Sequence, residues 1–388
     1  MGQPMISNQL FGSIETADGL ATAMLCIDSD KPNEFLFHWR YDGKGPAMGV
    51  KLNEPSNWAS GLLMRAAWNG NQVSLKPVGL LRDSVLGGLY VPRGLTEDEG
   101  AFVRDMSATL KRSDAGGLTG SWSGPNNTGG NVQLVPPPTS TRVKARRLRT
   151  WTAFKAWADK LRADNTAAWF RGHGSNTFPL MTTFHRVGRT RLADRFFFET
   201  MQRFTAHAEA TLGRRFNLDD GNDYATLMGL AQHHGVPTPL LDWTDSAYIA
   251  AFFAFADAIE SRGKRQPAKY VRIFALSPDI PAAAPVSVVM SWPAPFVAPL
   301  SVAPLHNPRL YAQQGRFLVT NVVHFEDYMA DIERNYKRPL LQAVDIPIRF
   351  ASEALRDLAF MGLTAASLFP GLDGAGRMLR HEMSYDVP

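Results

Sequence analysis

Cysteine occurs once in the 388 residues, as Cys26. A single thiol excludes an intramolecular disulfide and any cysteine-based zinc site, and it suits a reducing, cytoplasmic setting. The opening segment Met1-Gly2-Gln3-Pro4-Met5-Ile6 lacks a basic stretch followed by an apolar run, so no secretory signal is expected. It also lacks the hydroxyl at position 6 that a myristoylation site requires. Excess charge of one sign is modest: 41 Lys and Arg stand against 36 Asp and Glu, for a net charge of +5. That permits a nucleic-acid partner without demanding one. Residues 281–305 carry no charge, but Pro285, Pro293, Pro295, Pro299 and Pro304 interrupt them. Each proline removes a backbone donor and clashes with the preceding turn. The stretch is therefore expected to be an irregular connection with a short strand at 286–290, and no membrane role is expected. No internal repeat and no low-complexity segment is evident.

What is present describes an ordinary globular protein with ample core: 45% hydrophobic and 20% charged residues, enough chain for about two domains. Residues 1–135 read as β. Ala21-Thr22-Ala23-Met24-Leu25-Cys26-Ile27 and Glu34-Phe35-Leu36-Phe37-His38-Trp39 are strand-like runs between turn residues. Asn69-Gly70 and Asn71-Gln72 separate Met64–Trp68 from Val73–Leu75, a hairpin signal, and Leu118–Trp122 with Asn131–Val135 reads as a closing hairpin. Residues 96–112 are expected to form the one helix of this part. Several short strands predict a small antiparallel barrel or sandwich, either an accessory domain or a module that senses a ligand or protein partner.

Pro136-Pro137-Pro138-Thr139-Ser140-Thr141 is the best linker, since a proline run extends as a stiff spacer. The basic run Arg142, Lys144, Arg146, Arg147 and Arg149 follows, as a solvated edge or a phosphate-binding strip. The linker is thus 136–149, and a mixed α/β domain spans 150–388, so the fold class is α+β. In that domain Trp151, Phe154, Trp157 and Leu161 share one helical face. Residues 169–171 read as strand and 190–213 as a long helix. Residues 223–234 form a helix stopped by Gly235, and 247–259 a buried apolar helix. Residues 270–276, 317–323 and 342–350 read as strands.

Three clusters concentrate polar and small residues between apolar runs. They are Trp169-Phe170-Arg171-Gly172-His173-Gly174, Gln232-His233-His234-Gly235-Val236-Pro237-Thr238-Pro239-Leu240-Leu241-Asp242-Trp243-Thr244, and Arg309-Leu310-Tyr311-Ala312-Gln313-Gln314-Gly315-Arg316-Phe317. They are expected to meet in one pocket lined by Arg171, His234, Asp242 and Gln313. Arg171 offers a planar fork for phosphate or carboxylate, beside glycines that let backbone approach a ligand; its structural alternative is a salt bridge to Asp242. Asp242 lies among apolar residues and needs a partner if ionised. It is a catalytic carboxylate, the partner of Arg171, or the cap of the next helix. His233 and His234 are adjacent and cannot share a helical face, which argues against a paired metal site and makes His234 the candidate for the cleft. Gln313 can both donate to and accept from a ribose or a base edge, or it is a solvated loop residue.

In order and wording the clusters resemble the FRG domain family, named for Phe170-Arg171-Gly172 here. The match continues through His234-Gly235-Val236-Pro237-Thr238 and Leu240–Thr244 to Arg309, Gln313, Gly315 and Phe317, with an echo at Leu368-Phe369-Pro370-Gly371-Leu372-Asp373-Gly374. The resemblance covers roughly 150–380 and departs at Pro239, where the family usually has Arg after Pro-Thr. The order of pieces is also distantly similar to ADP-ribosyltransferases. That likeness implies NAD as substrate, no metal, and Phe170, Gly172, Trp243, Thr244 and Arg309 around the NAD. Arg171 would hold ribose or phosphate. Gln313 takes the place of a late acid without its charge, so Asp242 would supply the negative field. Together the resemblances imply a toxin or phage-defence effector acting on a nucleic-acid or protein target, with a protein partner or antitoxin met through the β domain. Two alternatives stay open. One is a metal-independent nuclease or hydrolase using His234 and Asp242; the other is a non-enzymatic nucleotide- or partner-binding module.

Overall fold

The computed structural model describes residues 6–17, 19–41, 59–83, 88–138, 142–261, 268–280, 292–302 and 307–384. The described N-terminal part is a closed antiparallel barrel. Its strands are β1 (Gln9–Thr16), β2 (Gly19–Ile27), β3 (Glu34–Tyr41), β4 (Ala59–Asn69), β5 (Gln72–Asp83), β7 (Ser107–Arg112), β8 (Leu118–Ser123) and β9 (Gly129–Val135). They pair in chain order, and β9 returns to β1, so these eight strands close up-and-down; β6 (Leu89–Tyr90) extends beside β5. The expected hairpin at Asn69 is a two-residue turn, with Gly70 at φ 62° and Asn69 facing Gln72. The interior is filled by side chains: Leu25, Phe35, Phe37, Leu62, Leu75, Leu110, Leu118, Trp122 and Leu134 are all buried in one cluster.

The expected helix at 96–112 is shorter. Helix α1 (Glu97–Asp105) starts on a capping box between Thr96 and Glu99 and stops at Met106. Residues 107–112 are β7 instead, because Ala108 and Leu110 alternate into the barrel core.

The second part is built on a seven-stranded sheet of the described residues, in the order β10-β16-β13-β11-β12-β15-β14. These are β10 (Arg146–Arg147), β11 (Trp169–His173), β12 (Leu240–Thr244), β13 (Tyr270–Leu276), β14 (Val297–Leu300), β15 (Gly315–Thr320) and β16 (Leu341–Pro347). The strand expected at 286–290 lies outside the described residues; the strand found after them is β14. Helices α2 (Trp151–Ala163) and α6 (Ala247–Glu260) cover one face, where Trp151, Phe154, Phe255, Val271, Ile273 and Val344 form the core. The expected helix at 190–213 is a π-helical segment, Leu192–Thr200, running into α4 (Met201–Leu212). Together with α5 (Gly221–His233) it packs over Leu240, Phe317 and Val319. Gly235, at φ 79°, ends α5 as expected. Before these lies the short α3 (Thr183–Arg186); after them come α7 (Pro308–Ala312), α8 (Phe325–Tyr336), α9 (Ala351–Phe360), α10 (Ala365–Leu368) and α11 (Leu372–Ser384). Helix α8 covers the other face, over Leu241, Trp243, Phe274 and Leu318. No helix of the described residues is long and apolar enough to cross a membrane.

Barrel and sheet domain meet through an apolar patch of Met24, Cys26, Leu36, Leu81 and Leu89 against Ala193. Burial first, then the charge of Asp28, pushes the Cys26 thiol far up, so it stays protonated. Beside the patch, buried Asp28 accepts from the Thr190 and Arg191 amides at 2.7 and 3.0 Å and from the guanidiniums of Arg189 and Arg195 at 3.1 and 2.6 Å. Buried Gln9 donates to the Asn321 carbonyl at 2.5 Å.

Candidate functional site

Strands β11 and β12 are joined in register only where Phe170 faces Thr244, although β11 pairs with β13 and β12 with β15 along their lengths. Past that point the strands part. The Arg171 guanidinium fills the parting: its Nη1 donates to the Asp242 carbonyl at 2.5 Å and lies 3.7 Å from Asp242 Oδ2. Its Nε donates to His173 Nε2 at 3.1 Å. The Asp242 side chain is 53% exposed, against 15% for Arg171. Gln232, on the last turn of α5, donates from Nε2 to Asp242 Oδ2 at 2.8 Å. Its other amide atom, Oε1, accepts from the hydroxyl of buried Thr238. Thr238 in turn exchanges hydrogen bonds with Thr183 of α3, at 3.1 and 3.2 Å. A relay thus runs from α3 through the Pro-Thr-Pro loop and the end of α5 to Asp242.

The electrostatics of this parting are cationic. Burial first lowers the Arg171 pKa, Asp242 opposes the shift, and Arg186 adds to it. Burial, then Arg171, then Arg186 and Arg272 hold His173 well below the usual imidazole range, so it is neutral. The carboxylate that faces the Arg171 guanidinium is Asp242, whereas Arg272 is paired with Asp345.

Arg171 and Asp242 are therefore brought together, while His234 and Gln313 have other surroundings. His234 is exposed at the C-terminal cap of α5, its ring 4.8 Å from that of His233. Gln313 caps α7, and its side chain donates to the Leu368 carbonyl at 3.0 Å, tethering α10. Of the four residues expected in one pocket, Arg171 and Asp242 touch each other, while the described hydrogen bond of the Gln313 side chain runs to Leu368. The other residues expected around NAD are placed as follows. Phe170 is buried edge-on to Trp157 in the core under α6, and Trp243 is buried in the core under α8. Thr244 is buried and donates to the Gln313 carbonyl at 2.8 Å. Gly172 accommodates a helix, not a ligand: a Cβ there would stand 1.9 Å from the Ala250 carbonyl oxygen of α6. At Gly174 it would meet the Asp257 carboxylate at 2.2 Å. Central strands covered on both faces leave such residues to packing.

Arg309 belongs to a second cluster. Its guanidinium lies over the Phe369 ring at 5.4 Å, and Arg377 lies over the same ring at 4.6 Å. With Glu260, Asp373 and Arg380 they line a hollow of about 440 Å³. Burial alone would raise the Glu260 carboxyl, yet hydrogen bonds from His381 and Arg377 bring it down to about 2. The third and fourth motif pieces thus fasten the C-terminal helices to α6. Gln232, His173 and Arg186 were not singled out from the sequence. Gln232 and His173 stand inside the quoted clusters, whereas nothing local marks Arg186.

The family model of the FRG domain matches residues 166–263. That stretch runs from β11 through α6 and holds Arg171, Gln232 and Asp242; Arg309, Gln313 and residues 368–374 fall beyond it. The chain carries an FRG domain. No curated protein and no solved structure matches the chain.

Proposed function

We propose that the FRG domain binds NAD at the parting of β11 and β12 and transfers ADP-ribose from it to a nucleic-acid or protein target. The observation that carries this reading is the Arg171 guanidinium, largely desolvated in the parting with the half-exposed Asp242 carboxylate 3.7 Å away. The planar fork of arginine matches the oxygens of a diphosphate. In the transfer, the bond between the ribose C1′ and the nicotinamide nitrogen breaks, nicotinamide leaves with the electron pair, the ribose ring becomes oxocarbenium-like, and a nucleophile of the target bonds to C1′ as its proton passes to solvent. Asp242, held by Gln232, supplies the negative field for that cation. In this reading the charge comes from Asp242 and not from Gln313, whose amide nitrogen donates to the Leu368 carbonyl. Such chemistry suits a toxin or phage-defence effector.

The test measures NAD binding by calorimetry and nicotinamide release by chromatography. Arg171→Ala is expected to abolish binding; Asp242→Asn is expected to lower turnover more than affinity, because a charge that steadies a developing cation acts in the transition state. Absence of NAD binding at about 1 mM, about −4 kcal/mol of affinity, together with His234-dependent cleavage of RNA or DNA, would replace this reading with a nuclease.

A further inference from the structure

A groove of about 660 Å³ runs along the β16 side of the sheet, between α2 and α8. Strand β10 pairs with β16 only at Arg146 and Arg147, opposite Val344 and Asp345, so residues 142–145 pass Leu341, Gln342 and Ala343 without pairing. Exposure alternates along this segment: Arg142, Lys144 and Arg146 face out, while Val143 and Ala145 pack against the core under α8. In extended chain, alternate side chains project to the same side about 6.6 Å apart. The three cations therefore form an evenly spaced row along one wall.

The groove also holds three carboxylates, and each is engaged. Glu326 accepts from the Val143 and Leu180 amides at 2.8 and 3.2 Å, Glu333 from the Leu340 and Leu341 amides at 2.7 and 2.8 Å, and Asp164 from Lys160 at 2.7 Å. Among the described residues, no ion pair holds Arg142, Lys144 or Arg146; Arg142 donates only to the Thr177 carbonyl, at 3.1 Å. Half-buried Val143 and Ala330 supply the accessible apolar floor, over buried Leu161, Met329 and Leu341.

We propose that this groove binds the backbone of a single-stranded nucleic acid, with Arg142, Lys144 and Arg146 each meeting one phosphate. A row of unpaired cations above an apolar floor fits a strand whose bases turn inward, whereas the stacked bases of a duplex cannot reach that floor. The site is separate from the Arg171 parting, since β16 and β13 lie between β10 and β11. It stands whether or not NAD binds.

The experiment is fluorescence anisotropy of the full chain with fluorescein-labelled oligouridylate and oligothymidylate of about 12 nucleotides, titrated with potassium chloride from about 50 to about 200 mM. Each phosphate contact contributes about −0.7 to the slope of log affinity against log salt on a single strand. The slope of the wild type is expected to be steeper by about 2 than that of the Arg142→Gln, Lys144→Gln, Arg146→Gln triple variant, which equals about a 20-fold difference in salt sensitivity over that range. Preference for one oligonucleotide distinguishes RNA from DNA. Lys144→Gln alone guards against misfolding of the triple variant, and it is expected to flatten the slope by about 0.7. Arg203→Gln, at an exposed position of α4, is expected to leave the slope unchanged. The proposal is overturned by absence of saturable binding, by equal slopes for wild type and both Gln variants, by preference for a duplex, or by stronger binding of an acidic peptide.

Discussion

Asp28 offers the sharpest test of how the two parts of the chain are joined. Its carboxylate is fully buried on the barrel, and all its partners come from the segment entering the long helix: the Thr190 and Arg191 amides and the Arg189 and Arg195 guanidiniums. Asp28→Ala strands two buried amide donors and removes the counter-charge of two cations. Breaking a buried, hydrogen-bonded pair from one side costs about 3–5 kcal/mol. Each donor left unsatisfied costs about 1–3 kcal/mol where water cannot reach it. These figures overlap, so the expected loss is about 4 kcal/mol, within the range for breaking the pair. Asp30 is an internal control. It pairs with the same two arginines at 3.0 and 2.9 Å, but its side chain is 46% exposed. Asp30→Ala is expected to cost no more than about 1 kcal/mol. Urea unfolding of the wild type and both variants, with the shift in midpoint multiplied by the slope, gives the comparison. Equal losses for the two variants, or a loss below about 1 kcal/mol for Asp28→Ala, would refute the argument that burial gives this carboxylate its weight.

Two further predictions concern the sheet domain. Glu260 has its folded pKa lowered to about 2, so its stabilisation is complete above the unfolded value near 4.5 and is lost as pH falls towards 2. Melting temperatures of wild type and Glu260→Gln are therefore expected to differ at pH 6 and to converge as the carboxyl protonates; a constant gap across that interval would contradict the pairing with Arg377 and His381. Gly172→Ala is expected to destabilise by about 3 kcal/mol or more, because overpacking here pushes against backbone and not a flexible side chain. A variant that melts like the wild type would show that α6 is not held against β11 as described.

The barrel, the main helices and most strands were legible locally. Alternation such as Val73, Leu75 and Pro77 along β5 marks one buried face, and Trp151, Phe154, Trp157 and Leu161 mark another at helical spacing. Gly235 ends its helix for a reason internal to the residue, its access to positive φ. The boundary at Met106 was less legible, because an acidic capped helix runs straight into a strand without a breaking residue. For the site, motif residues were visible as a group, but their roles were not. A glycine beside an arginine reads the same whether a ligand or a helix approaches it, and only the packing of α6 on β11 assigns Gly172 to the helix. Likewise an amide such as Gln313 suits a ribose or a carbonyl equally, and its partner at Leu368 is visible only in the tertiary structure. Composition and periodicity determined which residues are buried and in which element, since those depend on neighbours a few positions away. Which polar groups share a cleft was decided by contacts 55 to 71 residues apart in sequence, Gln313 to Leu368 and Arg171 to Asp242, which no local pattern encodes.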